Sequence, residues 1–277
     1  MLSASPVAGR PVDLLTWTGR HVRRNVAAAA RFGRWALDPA AYPPAVRGVG
    51  VGRFHERRVP LGGDGDPALE AGKRTNVERI AALIDGVALS PDRPFSFARV
   101  VGPLTLDRGF VAGRALLGGC LVPSVGGGAC LVSNALFAAA VELGWTILER
   151  HGNSLQHPDV RLPELDATVR YPDVDLRFAP DRPVVLRAAV EGEHFVLRVQ
   201  AAGAPPSVAI RRVDIRELVE GGQPFHVERV VRSVDDGPWA EVATNRRRII
   251  AAEKRHRNCW TCGETTCWER KASLGVR

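Results

Sequence analysis

Three consecutive glycines, Gly126, Gly127 and Gly128, run into Ala129-Cys130, and the cysteine opens an apolar, alanine-rich stretch from Leu131 to Leu143. No other stretch constrains the fold as tightly. Glycines take backbone angles closed to other residues, so such a loop can turn sharply and point successive amides inward. The run after it reads as a buried helix ending near Gly144. Cys130 then sits in the first helical turn, where the macrodipole and free N–H groups favour a thiolate. Two readings fit: a cysteine nucleophile, or a small buried residue where a loop meets a core.

The flanking sequence supplies short elements. Residues 13–37 read as a helix that Asp13 can cap, with Val22, Val26, Ala29, Gly33 and Ala36 along one seam. A second helix is predicted over about 68–85, with Val77, Ile80, Ala81 and Ile84 on its apolar face and Gly86 past its end. Phe95-Ser96-Phe97 alternates like a strand entry, and Gly118-Gly119 suits a hairpin turn between Ala115–Leu117 and Cys120–Val122. After the glycine loop and its helix, Thr146–Arg150 reads as a strand. Further strands are expected at Ala167–Tyr171, Asp175–Phe178, Val184–Ala189 and Phe195–Gln200, with one or two more in 207–232. Glu191 and Glu193 flank Gly192 at an expected solvated hairpin tip. The predicted class is α+β: a mixed or antiparallel sheet of short strands, a buried helix behind a glycine loop, and an N-terminal helix. Three segments are expected: a basic helical arm (1–67), a central domain (68–235) and a basic tail with a cysteine cluster (236–277).

Of the chain's net charge of +8, most lies in residues 1–60, where ten arginines face three acids. Such an arm suits an anionic membrane surface or nucleic acid, and the plain alternative, slightly preferred, is arginine used simply as a solubilising residue. A nucleic-acid partner is the least favoured, because no aromatic-basic motif accompanies the charge. No run of 18 or more apolar residues occurs, so no transmembrane helix is expected. Arg10, Arg20, Arg23 and Arg24 interrupt any secretory core. The expected location is the cytoplasm or a membrane periphery.

Five cysteines without a secretory pattern argue for metal or reactive thiols over a disulfide framework. His256-x2-Cys259-x2-Cys262-x4-Cys267 has the density and spacing of a metal site, with zinc ahead of an iron–sulfur cluster. Cys120 or Cys130 could replace His256 as the fourth ligand. The plain alternative is a reduced tail or a Cys259–Cys262 disulfide. For catalysis, Cys130 would be the nucleophile, His151 its base and Asp166 the group that orients the imidazole. The amides of Gly126, Gly127 and Gly128 would hold an oxyanion. In the plain alternative His151 and Asp166 cap a strand and a turn, and the glycines permit a tight corner.

From about residue 70 to 200 the chain resembles the VanW family, named for an accessory protein of some vancomycin-resistance clusters. The resemblance rests on Phe95-Ser96-Phe97, Val101-Gly102-Pro103 with Thr105, and Gly109-Phe110. It continues through Gly126-Gly127-Gly128 with Cys130, Ser133 and Asn134, then Glu149-Arg150-His151 and Ser154. Asp166-Ala167-Thr168-Val169, Tyr171, Asp175-Leu176 and Phe178 close it, and Asn76 and Pro91 also fit. The resemblance implies a peptide-like or cell-wall-related ligand by association. This chain departs from the family at Leu131, where a glutamine is usual, and at Asn153, where a histidine is usual. The expectation is cysteine-dependent acyl transfer or hydrolysis on such a molecule. The competing expectation is a non-catalytic binding or scaffold protein with a structural metal in its tail.

Overall fold

The structure is a computed structural model, and it describes residues 14–52, 54–62, 66–117, 120–156 and 165–249. In chain order the elements are α1 (Leu14–Leu37), β1 (Val46–Arg47), β2 (His55–Pro60), α2 (Pro67–Ile84), β3 (Val87–Leu89), β4 (Phe95–Ser96) and α3 (Phe97–Val101). There follow β5 (Ala112–Leu117), β6 (Cys120–Val125), α4 (Ala129–Glu142), β7 (Thr146–Glu149), β8 (Leu155–Gln156) and β9 (Arg177–Ala179). The last five strands are β10 (Val184–Glu191), β11 (His194–Gln200), β12 (Val208–Glu220), β13 (Gln223–Val234) and β14 (Ala240–Ile249). They form an α+β fold with four sheets in the orders β1-β3-β10-β11-β2, β12-β13-β14-β8, β4-β9-β7 and β5-β6. All pairings are antiparallel except β14 with β8.

Local chemistry sets the element ends. Asp66 caps α2 by accepting from the amides of Ala68 and Leu69, and Pro67 opens the helix where its missing N–H costs nothing. Val77, Ile80 and Ile84 of α2 are fully buried, each contributing about 1.5–3 kcal/mol of burial. Their helix packs on β5, β10 and α4. Apart from Ser133, Asn134 and Glu142, helix α4 is apolar, as a helix threaded through a core must be, and residues 135–141 are all buried. Beneath its C-terminal end Phe178 stacks between Phe95 and Trp145, at 4.8 and 5.5 Å.

Several expectations change. Phe97 does not continue a strand, because Ser96 accepts from the amide of Arg99 and turns the chain into α3. Residues 167–171 form no strand, because their backbone is claimed elsewhere. Asn134 accepts from the Ala167 amide, Ser133 donates to the Ala167 carbonyl, and the His151 carbonyl accepts from Thr168. Residues 55–60, expected within the basic arm, pair with β11, and residues 240–249, expected within the basic tail, pair with β13. Glu191 and Glu193 do not simply face solvent: Glu191 pairs with Arg198 and Arg58, and Glu193 with Arg74. The seam expected on α1 is also reversed. Val22, Val26, Ala29 and Ala36 are exposed, and between Val22 and Leu37 the buried residue is Arg31.

Candidate functional site

The glycine loop forms as the sequence requires. Gly126 and Gly128 have φ of +80° and +107°, and Gly128 is the N-cap of α4. A side chain at Gly127 would meet the Gly113 carbonyl oxygen at 2.3 Å, so the loop lies flat against β5. Asn76, fully buried on α2, clamps it. Its amide nitrogen donates to the carbonyls of Val111 and Gly127 at 2.9 Å each, and its oxygen accepts from Val111 N–H at 2.9 Å. The amide of Gly126 donates to Val111 and that of Gly127 to Ser124. Both of these candidate oxyanion donors are therefore already engaged.

Cys130 is the second residue of α4, in its first turn. The segment around residues 166–169 covers it, tied down by Ser133 and Asn134. Although the residue retains some exposure, its thiol is desolvated. Burial pushes the thiol above its ordinary pKa, a backbone hydrogen bond at Val169 opposes that shift, and the charge of Asp166 adds to it. The protonated thiol is the favoured form, the reverse of what a helix N-terminus alone would give.

His151 and Asp166 point to other partners. The exposed ring of His151 lies 3.0 Å from Glu149. Asp166, fully buried, accepts from Arg150 and Arg247, and from both the backbone and side-chain nitrogens of Asn153 at 2.8 and 2.7 Å. Among the described residues no hydrogen bond joins His151 to Asp166 or to Cys130. Asn153, where the resemblance led to a histidine, thus serves as a ligand of the Asp166 carboxylate.

Sequence reasoning missed the ionic chain beyond Asp166. Arg247 also reaches Glu228, which is fully buried and takes Arg212 and Asn245 as well. Burial would push Glu228 up, but hydrogen bonds from Asn245 and Arg212 hold it below its ordinary pKa. Arg150 closes the circuit through Asn245 at 2.6 Å and the Thr244 carbonyl at 3.2 Å. A signal was available in the sequence: Ala243, Asn245 and Arg247 occupy the inward positions of a two-residue period, where buried polar groups mark a network.

Above this network lies an open cleft of about 950 Å³, solvent included. One wall is Thr146–Arg150, the other Glu241–Thr244, with Arg232 at one end. Among the described residues the outer edge of β7 pairs with no strand, and β14 pairs on this side only at Arg248 and Ile249. Two open strand edges therefore line one cleft. Arg232 donates to the carbonyls of Ala140, Val141 and Trp145 at the end of α4. It makes no ion pair among the described residues, and burial alone lowers its pKa. A second, much smaller crevice lies between Phe97–Leu104 and Val169–Val174 and is mostly apolar.

Among the described residues no cluster of three or more His, Cys, Asp or Glu side chains could hold a metal. The candidate ligands His256, Cys259, Cys262 and Cys267 lie outside the described residues, as does the side chain of Cys120. No described helix is long and apolar enough to cross a membrane.

The glycine loop clamped by Asn76, the covered cysteine behind it and the buried aspartate at the head of the next segment all lie in the stretch that resembles a known family. Residues 72–200, just under half of the chain, match the family described as "VanW like protein". Over 129 residues it is 33% identical to "Uncharacterized protein YoaR" of Bacillus subtilis (strain 168), a match covering 46% of this chain and 42% of that protein. Over 174 residues it is 26% identical to "Vancomycin B-type resistance protein VanW" of Enterococcus faecalis (strain ATCC 700802 / V583), covering 60% and 63%. The chain thus spans less than two thirds of either relative. No solved structure matches it.

Proposed function

We propose that this VanW-like domain is a non-catalytic binding module that holds an extended, peptide-like molecule in the cleft between β7 and β14. One observation carries the reading. Two unpaired strand edges face one cleft, and at its end stands a guanidinium with no counter-ion among the described residues. An extended chain laid there would hydrogen-bond to both edges by strand addition. A carboxylate on that chain would meet Arg232, a charge-assisted contact. The side chains of Ile147, Leu148 and Val242 offer apolar contacts along the walls.

Cysteine-dependent acyl transfer is less well supported. The thiol of Cys130 is covered and favoured in its protonated form, His151 is turned to Glu149, and two loop amides are engaged. The Enterococcus relative is named for vancomycin resistance, which puts cell-wall-related peptides first among the ligands to try.

The test is an NMR titration of the full chain with tetrapeptides in three forms: free C-terminus, amidated C-terminus, and backbone N-methylated at alternate residues. Amide shifts are expected at Ile147, Leu148, Val242 and Ala243. The amidated and N-methylated forms should bind about tenfold more weakly, or worse, as each loses charged or strand-like hydrogen bonds. Shifts confined to Gly126–Cys130, or turnover of the peptide that Cys130→Ala abolishes, would refute the reading in favour of catalysis.

A further inference from the structure

Helix α1 is docked by its charged face. Arg31, 1% exposed, makes a two-pronged ion pair with Glu149 and donates to the Tyr42 hydroxyl and the Asp173 carbonyl at 3.2 Å each. Trp35, one helical turn on, packs against Phe32, Tyr42 and Tyr171, and the guanidinium of Arg99 lies 5.2 Å from its ring. At about 100° per residue, these two side chains lie within roughly 40° of each other on the helix.

That docking turns the apolar stripe outward. Val22, Val26, Ala29, Gly33 and Leu37 fall within an arc of about 80°. Val22 is 60% exposed, Val26 64% and Leu37 87%, and a side chain added at Gly33 would touch nothing within 4 Å. Phe32, 46% exposed, borders the stripe on one side. Arg23 and Arg34, both exposed, border it on the other. An amphipathic helix in a globular protein normally buries the stripe and exposes the arginines. Here a single arginine is buried against the Glu149 carboxylate, and the stripe is left to solvent with cations along its margin.

We propose that α1 is a docking surface for an anionic lipid bilayer, lying flat with Val22, Val26 and Leu37 in the interface and Arg23 and Arg34 against the headgroups. The occupant follows from the pattern. An apolar stripe with arginines on its border is the arrangement in which side chains reach back to phosphate while the stripe enters the acyl boundary. The apolar residues supply depth, and the arginines restrict the choice to negatively charged surfaces. This inference is independent of the peptide cleft, because the stripe and the cleft share no residue.

The experiment is sedimentation of the full chain with large vesicles of phosphatidylcholine alone or with 30% phosphatidylserine (about one lipid in three, a strongly anionic surface). Binding is expected only to the anionic vesicles, and is expected to fall steeply with salt. Val22→Glu with Val26→Glu should abolish it. Arg23→Gln with Arg34→Gln should weaken it about thirtyfold, two basic residues' worth. All four positions are exposed, so the melting temperature should not change, and a circular dichroism melt of each variant checks that. Binding that survives Val22→Glu with Val26→Glu would locate the contact in another basic segment and overturn the proposal. Equal binding to neutral vesicles, or none to either, would also overturn it. So would a concentration-dependent dimer in sedimentation velocity that the glutamates abolish, since the stripe would then serve a second copy.

Discussion

The tie between Arg31 and Glu149 gives the most direct quantitative test of how the N-terminal helix is held. Burial by itself would push the Glu149 carboxyl up, but hydrogen bonds from His151 and Arg31, with their charges, bring it down to about 2. Its partner agrees in direction: burial would lower Arg31, and the hydrogen bond and charge of Glu149 raise it overall. From the ordinary 4.5 to about 2, the carboxylate form is favoured by on the order of 3 kcal/mol. Glu149→Gln keeps the shape and removes the charge, leaving Arg31 as a buried cation whose acceptors are all neutral: the Tyr42 hydroxyl, the Asp173 carbonyl and one amide oxygen. Such half-broken buried pairs cost about 3–5 kcal/mol. Arg31→Met removes the other half and leaves Glu149, which still has His151 and is less buried. Both changes together should cost much less than the two single costs added.

The assay is a double-mutant cycle read in two ways: urea denaturation of the whole chain, and hydrogen exchange of the amides of residues 24–37. The expected coupling is about 2–3 kcal/mol, with faster exchange in α1 in each single variant and partial recovery in the double. The pH dependence carries a sign. Glu149 has a depressed folded-state pKa, so its contribution is fully present above about 4.5 and is lost as the pH falls toward about 2. That part of the acid dependence should be missing from Glu149→Gln. Strictly additive single costs, or an unchanged acid profile, would refute the account of α1 as a helix held by one buried ion pair.

Three further outcomes are expected. Asn76→Ala leaves two carbonyls and the Val111 amide without their partner and should cost about 3 kcal/mol or more in urea denaturation, loosening the glycine loop without affecting α1. Cys130 should react slowly with a disulfide reagent at pH 7.5 in the folded chain and quickly in denaturant, and its reaction should accelerate only well above neutral pH, since burial raises the thiol. For the tail, purified chain should contain about one zinc, lost on acidification and in Cys262→Ser, because thiolate ligands must be deprotonated to bind. Metal-free protein with three freely titrating tail thiols would remove that expectation.

The parts that were legible in the sequence are those that one local rule decides. Gly126–Gly128 must turn, an apolar run after them must be buried, and the face of Val77, Ile80, Ala81 and Ile84 must make a helix, and each does so. The alternation from Val184 to Gln200 gave β10 and β11 nearly to the residue. Illegible were the places where a distant partner decides. Arg31 looks like one more solubilising arginine until Glu149, 118 residues away, takes it inside. Residues 167–171 alternate like a strand, yet Ser133, Asn134 and His151 occupy the groups a ladder would use. The candidate triad failed to assemble for the same reason. Asp166 has two arginines and an asparagine competing for its oxygens, and His151 has a nearer acid two residues before it.

The buried ionic chain explains how the cleft is built from two sheets. One wall belongs to β7 of the β4-β9-β7 sheet, the other to β14 of the β12-β13-β14-β8 sheet, and no strand pairing among the described residues joins those two edges. Beneath them Arg150 reaches from the end of β7 to Thr244 and Asn245 of β14, while Arg247 of β14 reaches back to Asp166. The separation of the two edges is therefore set by side chains, not by a backbone ladder. Charges buried at that position stabilise the fold less than apolar packing would, but they fix geometry, since each oxygen of Asp166 accepts only along specific directions. A cleft with side-chain spacers can keep two unpaired strand edges from pairing with each other. An apolar filler at the same place would let the edges close on each other. On this argument Asp166→Asn, which keeps the shape and weakens both arginine contacts, should reduce peptide binding in the cleft by more than it reduces stability. Equal losses in the two would mean that the network is a plain structural core.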